Sequence, residues 1–349
     1  MQAGADVARE PVLRKEAANA AWGAAREPEL SVVLPTWNRS DVLERVLAAV
    51  STSLAEGHAE WELIVVDDGS VDATPTVLER FAAQTGFPVL CLLLAQNGGP
   101  ARARNVALRR ARGQVVLMIG DDILPRADLL ERHAAWHRTH PEDVYALLGR
   151  VTWPDGLPAT PFMRWMERGG RSYFFNYADL PANRPVPHSA FYTCNISLKR
   201  ALLLRSGFFD ESFPFASHED LELGYRLEQQ GLQLFHDPQA LAYHWHPLDV
   251  ASAVRRVYFM GYSSGIYWQK VPQSGALWRR LGRRVLAAAG ACRPCSQIAR
   301  FVFRLERRHA VPSRYLWAVL LHIAYWSGLG DFGRQRPPSP DMLTPGECP

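Results

Sequence analysis

From Leu30 onward, short apolar runs alternate with helically spaced ones. Leu30–Leu34, Leu63–Val66, Val89–Leu94 and Val115–Ile119 are too short for helices and rich in branched side chains, which predicts strands. Between them, Val42, Leu43, Val46, Leu47 and Val50 share one face of a helix over 41–50. Val77, Leu78 and Phe81 do the same over 76–83, and a third helix over 101–112 closes at Gly113. Strand and helix in turn at this pace predict βαβ units and a parallel, doubly wound sheet. Continuous rather than alternating apolar runs fit strands covered on both faces.

The rhythm breaks after residue 150. Pro154, Pro158, Pro161, Pro181, Pro185 and Pro187, among many aromatics, predict a loop-rich insertion over one sheet edge across 151–192. A second ordered block runs from Phe191 to Pro247. It holds the strand-like Ile196–Leu198 and a helix reaching Gln230, ended by Gly231. Beyond it, Leu277, Leu281, Val285 and Leu286, then Ile298, Phe301, Val302 and Leu305, face one way with arginines between. Tyr315–Trp326 is apolar but short for a membrane span. The expected organisation is a flexible arm (1–28), an α/β domain (29–248) with halves at 29–125 and 150–248, a basic amphipathic helical extension (249–332) and a disordered, Pro-rich tail (333–349).

Composition narrows the class. A 48% hydrophobic content argues against a disordered chain, and five cysteines in 349 residues cannot form a disulfide scaffold. Cys292 and Cys295 make one CxxC without a second pair, which argues against structural zinc. The odd count and the lack of an apolar leader in the first 28 residues lead to a cytoplasmic expectation. Charge is unevenly spread. Residues 250–349 hold 15 Lys and Arg against 4 Asp and Glu (+11), whereas residues 1–249 hold 24 against 31 (−7). A basic third on an acidic body suggests an anionic partner, with solvated Arg-rich helices as the plain alternative.

In an open parallel sheet, ligands bind where strands end and the chain turns toward a helix. Here the first strand is followed by Pro35-Thr36-Trp37-Asn38-Arg39, the second by Asp67-Asp68-Gly69-Ser70, the third by Asn97-Gly98-Gly99-Pro100, and the fourth by Gly120-Asp121-Asp122. Each piece alone reads equally well as a turn or helix cap. Two acidic pairs delivered to one rim, however, repel unless something positive binds there.

Val66 to Ser70, Asn97 to Asn105, Gly120-Asp121-Asp122 and the later His218-Glu219-Asp220-Leu221-Glu222-Leu223-Gly224-Tyr225-Arg226-Leu227 resemble the signatures of bacterial family 2 glycosyltransferases with the GT-A fold. The resemblance covers about residues 30–247. It implies a Rossmann-like, mostly parallel sheet flanked by helices, with a nucleotide-binding half (29–125), an acceptor half (150–248) and a carboxyl-terminal helical extension. It implies an inverting, metal-dependent transfer of a sugar from a nucleotide diphosphate, UDP-type favoured, to a hydroxyl of a glycan or lipid-linked glycan in surface polysaccharide assembly.

Carried over by position, Asp68 would bind the base, with Pro35 and Thr36 lining its pocket and Asp67 in support. Asp121 would hold the ribose and Arg104 would lie near the nucleotide. Asp122 and His244 would bind Mn²⁺ or Mg²⁺, with His246 an alternative to His244. Asp220 would be the catalytic base, and Glu219 and Trp165 would contact the acceptor. Gly120 stands where the family often has a further acid, which leaves open how many protein ligands the ion has. On physical grounds, Asp220 falls in the first turn of a helix, whose dipole favours the ionised carboxylate.

The extension has two readings. One is a peripheral anchor on anionic lipid, with Trp278, Trp317 and Trp326 at the interface. The other is a packed subdomain over the acceptor cleft. Nucleic acid is not expected as a partner. A sugar-nucleotide pyrophosphorylase would need a glycine-rich basic loop after the first strand, and a dehydrogenase a GxGxxG; neither is present. A degenerate glycan-binding scaffold is the non-enzyme alternative, and intact Asp122 and Asp220 speak against it.

Overall fold

The computed structural model describes residues 11–24, 27–57, 60–168, 177, 179–272 and 314–340. Among them a mixed sheet is formed by β1 (Leu13–Ala18), β2 (Leu30–Thr36), β3 (Trp61–Asp67), β4 (Val89–Leu94), β5 (Val115–Ile119), β6 (Ile123–Pro125), β7 (Tyr145–Thr152), β8 (Pro185–Val186), β9 (Asn195–Lys199) and β10 (Gln233–His244). The order across the sheet is β1-β4-β3-β2-β5-β9-β7-β10-β6, with β8 paired to β10. Its helices are α1 (Ala20–Ala24), α2 (Ser40–Glu56), α3 (Thr74–Gln84), α4 (Pro100–Arg110), α5 (Leu129–Thr139), α6 (Pro161–Arg168), α7 (Arg200–Ser206), α8 (Glu219–Glu228), α9 (Val250–Lys270) and a carboxyl-terminal helix, Arg314–Gly333.

The parallel block β4-β3-β2-β5 is the doubly wound part. The chain winds outward from β2 to β4, then crosses back over β2 to β5. The crevice at that reversal is the ligand site of an open α/β sheet. These strands are apolar throughout because both faces are covered: Leu63, Ile64, Val65 and Val66 are fully buried. Each such side chain contributes about 1.5–3 kcal/mol on burial. Beyond β5 the sheet changes character. β9 runs antiparallel to both β5 and β7, and β10 runs parallel to β7.

Within the arm expected to be loose over 1–28, Leu13–Ala18 forms a strand and Ala20–Ala24 a short helix. β1 pairs antiparallel with β4, which would otherwise leave an apolar strand at the sheet edge. Its own side chains are largely exposed and include Arg14, Lys15 and Glu16, a composition that discourages further edge pairing. Arg110 ties Glu16 with two bonds, at 3.0 and 2.6 Å.

A second apolar cluster lies beside the sheet. Trp153, Phe162, Met163 and Met166 meet Val254, Val257 and Tyr258 of α9 and Trp317, Leu320 and Leu321 of the carboxyl-terminal helix. The two long helices cross on glycines. A Cβ on Gly261 would lie 1.9 Å from Tyr325 O, and one on Gly328 would lie 1.9 Å from Tyr258 O. Past the last helix, Ser339 N–H donates to Tyr258 Oη at 2.8 Å and Pro340 is buried, so the start of the expected disordered tail lies on this pair. The amphipathic stretches expected over 277–286 and 298–305, and Trp278, lie outside the described residues. Among the described residues no helix is long and apolar enough to cross a membrane.

Candidate active site

Thr36 ends β2 directly opposite Asp67, which ends β3. The loops that follow are joined by their own short polar side chains. Asn38 N–H donates to Ser70 Oγ (2.8 Å), Val71 N–H to Asn38 Oδ1 (2.9 Å), and Arg39 N–H to Thr74 Oγ1 (3.0 Å). Asp67 accepts from the Ser70 N–H (3.1 Å) and hydroxyl. Asp68 accepts from Gly98 N–H on both oxygens, at 3.0 and 3.1 Å, and from Gly99 N–H at 2.7 Å, three contacts that draw the start of α4 onto the same rim. A carboxylate has about four acceptor positions, so Asp68 keeps capacity for one further donor. Gly69 sits at φ +76°, and a Cβ there would fall 2.6 Å from Gln96 C, so this turn requires glycine. Burial pushes the Asp67 and Asp68 carboxyls up, against the N–H donors that lower them.

Asp121 and Asp122 follow β5. Residue 244 arrives beside them because β10 pairs with β6, His244 against Ile123, and because Trp245 N–H donates to Asp122 O at 2.7 Å. His244 Nε2 then stands 3.1 Å from Asp122 Oδ2. Trp153 stacks on the His244 ring, with centroids 5.1 Å apart. The Arg39 guanidinium lies between the two acids, 3.7 Å from Asp121 and 3.8 Å from Asp122, and 3.4 Å from His246 Nδ1. Trp37 N–H faces Asp121 Oδ2 at 3.4 Å. Burial, then the Asp122 charge, pushes Asp121 up to about 6. Burial acts upward on Asp122 too, but His244, Arg39 and His246 outweigh it and hold that carboxyl well below the ordinary range.

On the far side of the crevice α8 begins at Glu219. Asp220 Oδ1 accepts the Leu221 N–H at 2.8 Å, so the carboxylate lies over the helix start, as its sequence position predicts. The electrostatic outcome differs from that expectation. Burial, followed by the Glu219 charge, raises Asp220 to about 7, outweighing Arg104 and the helix N–H groups. Glu219 is itself buried and takes a bond from Arg104 Nη1 at 2.8 Å. Arg104 also lies over the Phe209 ring. The arginine expected beside a nucleotide thus braces α4 against α8. Glu219 Oε2 is buried without a partner among the described residues. Asn105 clamps the loop before α8 through Phe209 N–H (2.8 Å) and Phe209 O (2.9 Å).

The two sides converge on Cys194, whose thiol is pushed up to about 12 by burial, with the Asp122 and Asp220 charges both acting on it and Arg256 of α9 opposing. Tyr177 Oη lies 3.2 Å from Cys194 Sγ. Asp121, Asp122 and His244 are direct neighbours, and the charges of Asp122 and Asp220 both reach Cys194. Trp165 packs on Phe162 and Trp317 in the second cluster, with ring centroids 5.9 and 5.5 Å away. Tyr173, Phe174 and Phe175 lie outside the described residues. Sequence reading did not single out Arg39, Trp153 or Arg256. Arg39 was legible as part of the polar loop after β2; nothing local marks the other two. A crevice of about 710 Å³ between β1 and α3 is lined mainly by alanines, and shares no residue with the rim.

Among the described residues no group of three or more His, Cys, Asp or Glu side chains is arranged to hold a metal. Asp122 and His244 form a two-donor set, a hard oxygen and an imidazole 3.1 Å apart. Such a pair suits a divalent cation whose remaining positions come from phosphate and water.

Residues 31–203 match the family described as Glycosyl transferase family 2. The chain is 28% identical over 246 residues to the uncharacterized glycosyltransferase YfnE of Bacillus subtilis, covering 58% of this chain and 61% of that protein. It is 30% identical over 240 residues to validoxylamine A glucosyltransferase of Streptomyces hygroscopicus subsp. jinggangensis, covering 59% and 53%. The chain thus spans only part of the length of these curated relatives. Among solved structures, the mannosyltransferase PcManGT of Pyrobaculum calidifontis, in complex with GDP-Man and Mn²⁺, superposes with a TM-score of 0.53 at 17% identity, covering 91% of this chain and 90% of that one. S. aureus TarS in complex with UDP gives 0.50 at 18% identity, over 88% and 92%. These structures share the GT-A fold with this chain.

Proposed function

We propose that this chain, whose residues 31–203 belong to glycosyl transferase family 2, transfers a sugar from a nucleoside diphosphate donor to a hydroxyl group with inversion at the anomeric carbon. The observation that carries this reading is the meeting of Asp122 and His244, from separate segments, at 3.1 Å, with Arg39 between Asp121 and Asp122. On the β2–β3 side, Asp68 accepts the base N–H, Thr36 and Pro35 line its pocket, Asp67 supports them, and Asp121 takes the ribose. Asp122 and His244 hold Mn²⁺ or Mg²⁺, which when bound offsets the charge left on the departing diphosphate. Arg39, already between the two acids, adds a second positive group beside that diphosphate.

Asp220 takes the proton from the acceptor hydroxyl as it attacks. A base near 7 is suited to this, because a substantial fraction is ionised at neutral pH yet it still holds a proton well. The unpartnered Glu219 Oε2 orients the acceptor. Displacement from the face opposite the diphosphate inverts the centre in one step. Trp165 contacts the acceptor from its place against the second cluster.

UDP is the favoured nucleotide and a glycan or lipid-linked glycan the favoured acceptor, in surface polysaccharide assembly. This is supported by similarity to a TarS named as a poly(ribitol-phosphate) β-N-acetylglucosaminyltransferase, 31% identical over 137 residues. We further infer action at the inner face of a membrane, supported by the +11 charge of residues 250–349 and by exposed Tyr315 and Val319 on the last helix. Thermal-shift measurements with UDP, GDP, dTDP and CMP sugars, each with and without Mn²⁺, test the donor assignment. One nucleotide class is expected to raise the melting temperature only with metal. No stabilisation by any of them would sink the reading.

A further inference from the structure

A line of hydroxyls joins the carboxyl-terminal helix to the turn that carries Asp220. Tyr325 Oη donates to Ser264 Oγ of α9 at 2.8 Å. Ser264 Oγ donates to Met260 O at 2.9 Å and lies 3.1 Å from His218 Nε2. On the other ring nitrogen, Ser217 Oγ stands 2.8 Å from His218 Nδ1. One proton assignment makes all four bonds at once. A hydroxyl has a single proton and two lone pairs. Ser264 gives its proton to Met260 O and accepts from both Tyr325 and His218 Nε2–H, while Ser217 donates to Nδ1. His218 is then neutral, and burial, which lowers its pKa to about 4, keeps it so.

The position of His218 gives the line its consequence. It caps α8, its carbonyl accepting the Glu222 N–H at 2.9 Å, and it does so at φ +69°, a left-handed conformation unusual for a side chain of this size. Such a conformation persists only where surrounding contacts impose it. Two residues on is Asp220. The far end of the line is equally fixed: Gly261 admits no Cβ against Tyr325 O, so the Tyr325 backbone rests on α9 one turn from where its hydroxyl meets Ser264.

We propose that Tyr325, Ser264 and His218 are positioning residues for the Asp220 carboxylate, so that the α9–carboxyl-terminal helix pair is part of the catalytic apparatus. This rests on Asp220 being the base. The line does not touch the reacting atoms. It holds the left-handed turn that aims Asp220 into the opening and keeps water from the carboxylate. Groups that act on or face Asp220 are Glu219 and Arg104, Tyr177 and Cys194 across the opening, and Tyr267 of α9. None of these is altered by the variants below.

The test uses the full chain with Mn²⁺, following nucleotide release from UDP-GlcNAc and GDP-mannose, and UDP and GDP affinity by calorimetry. Tyr325→Phe and Ser264→Ala are expected to lower kcat about 5- to 20-fold with nucleotide Kd within about twofold. Both should move the acid limb of the kcat profile to lower pH, because water admitted at the loosened turn relieves the desolvation of Asp220. Ser264→Thr, which keeps the hydroxyl, should restore both values. Unchanged kcat and an unmoved acid limb in Tyr325→Phe overturn the proposal, whatever happens to the folding of Ser264→Ala. Asp220→Asn separates the two layers. If it abolishes turnover while Tyr325→Phe is silent, the base stands and the positioning line falls. If Asp220→Asn retains turnover, the base assignment fails and the line falls with it.

Discussion

On the β2–β3 side of the opening, the residues that form the rim also hold one another. Asn38, Ser70, Thr74 and Asp67 are bonded across two adjacent loops, and Asp68 draws in Gly98 and Gly99. On the α8 side, support comes from far along the chain. Arg104 of α4 braces Glu219, Ser264 of α9 meets His218, and Tyr325 stands behind Ser264. The first side is built from short polar side chains and backbone N–H groups at strand ends, so each part constrains its neighbour. The second is a single helix start that needs anchoring from outside. Damage to the first side should therefore appear as lost nucleotide binding, and damage to the second as lost turnover with binding intact.

The largest expected effect is that of Asp220→Asn, which should cut kcat by about 10²- to 10⁴-fold, the usual contribution of a positioned base, without changing nucleotide affinity by calorimetry. A parallel loss of binding would erase the distinction between the two sides. Next, Asp122→Ala should remove the Mn²⁺-dependent thermal shift, and Trp153→Leu should weaken Mn²⁺ binding by about tenfold by freeing the His244 ring. Titration of Mn²⁺ by calorimetry in the presence of UDP measures both.

Two glycine variants sharpen the comparison at similar cost in stability. Gly69→Ala forces a Cβ into a left-handed turn 2.6 Å from Gln96 C. It should destabilise by about 1–2 kcal/mol and weaken nucleotide binding. Gly261→Val meets Tyr325 O and should cost about 1–3 kcal/mol through overpacking, lowering turnover while binding survives. Urea unfolding with paired binding and rate measurements distinguishes them; reversed phenotypes would break the scheme.

The smallest effects are in pH. Turnover should rise with pH and reach half its plateau near 7, as Asp220 loses its proton. The stability slopes have opposite signs. Asp220 is raised, so its contribution is full below the ordinary carboxylate range and is lost as pH rises through about 7. Asp122 is lowered, so its contribution is present at neutral pH and is lost as pH falls through and below the ordinary carboxylate range. Asp220→Asn should therefore flatten the neutral slope of melting temperature against pH and leave the acid slope in place.

Much of this was legible from local pattern. Four of the strands and three of the helices follow from apolar spacing, and β4 and β5 have the bounds that their apolar runs predict. The acids at strand ends were legible for the same reason: a parallel sheet exposes only its strand ends, so polar groups there have one place to go. The N-terminal strand was not legible, because its six residues, Leu13–Ala18, are mostly exposed and carry no apolar alternation. Its order comes from pairing with β4, a contact between segments remote in sequence. The packing of Trp165 on Trp317 was not legible either, because an aromatic in a Pro-rich insertion reads alike whether it faces a sugar or a neighbouring tryptophan.

What the amino-acid order determined by itself is therefore the βαβ winding and the inventory of carboxylates at its rim, since both depend on residues within a few positions of each other. What only the tertiary structure decided is how those carboxylates differ. His244 reaches Asp122 through the β6–β10 register, Arg104 pairs with Glu219 rather than with Asp220, and Tyr325 reaches His218 through Ser264. Protonation and aim are set by distance, burial and neighbouring charge, and those arise only when segments far apart in the chain are brought within a few ångströms.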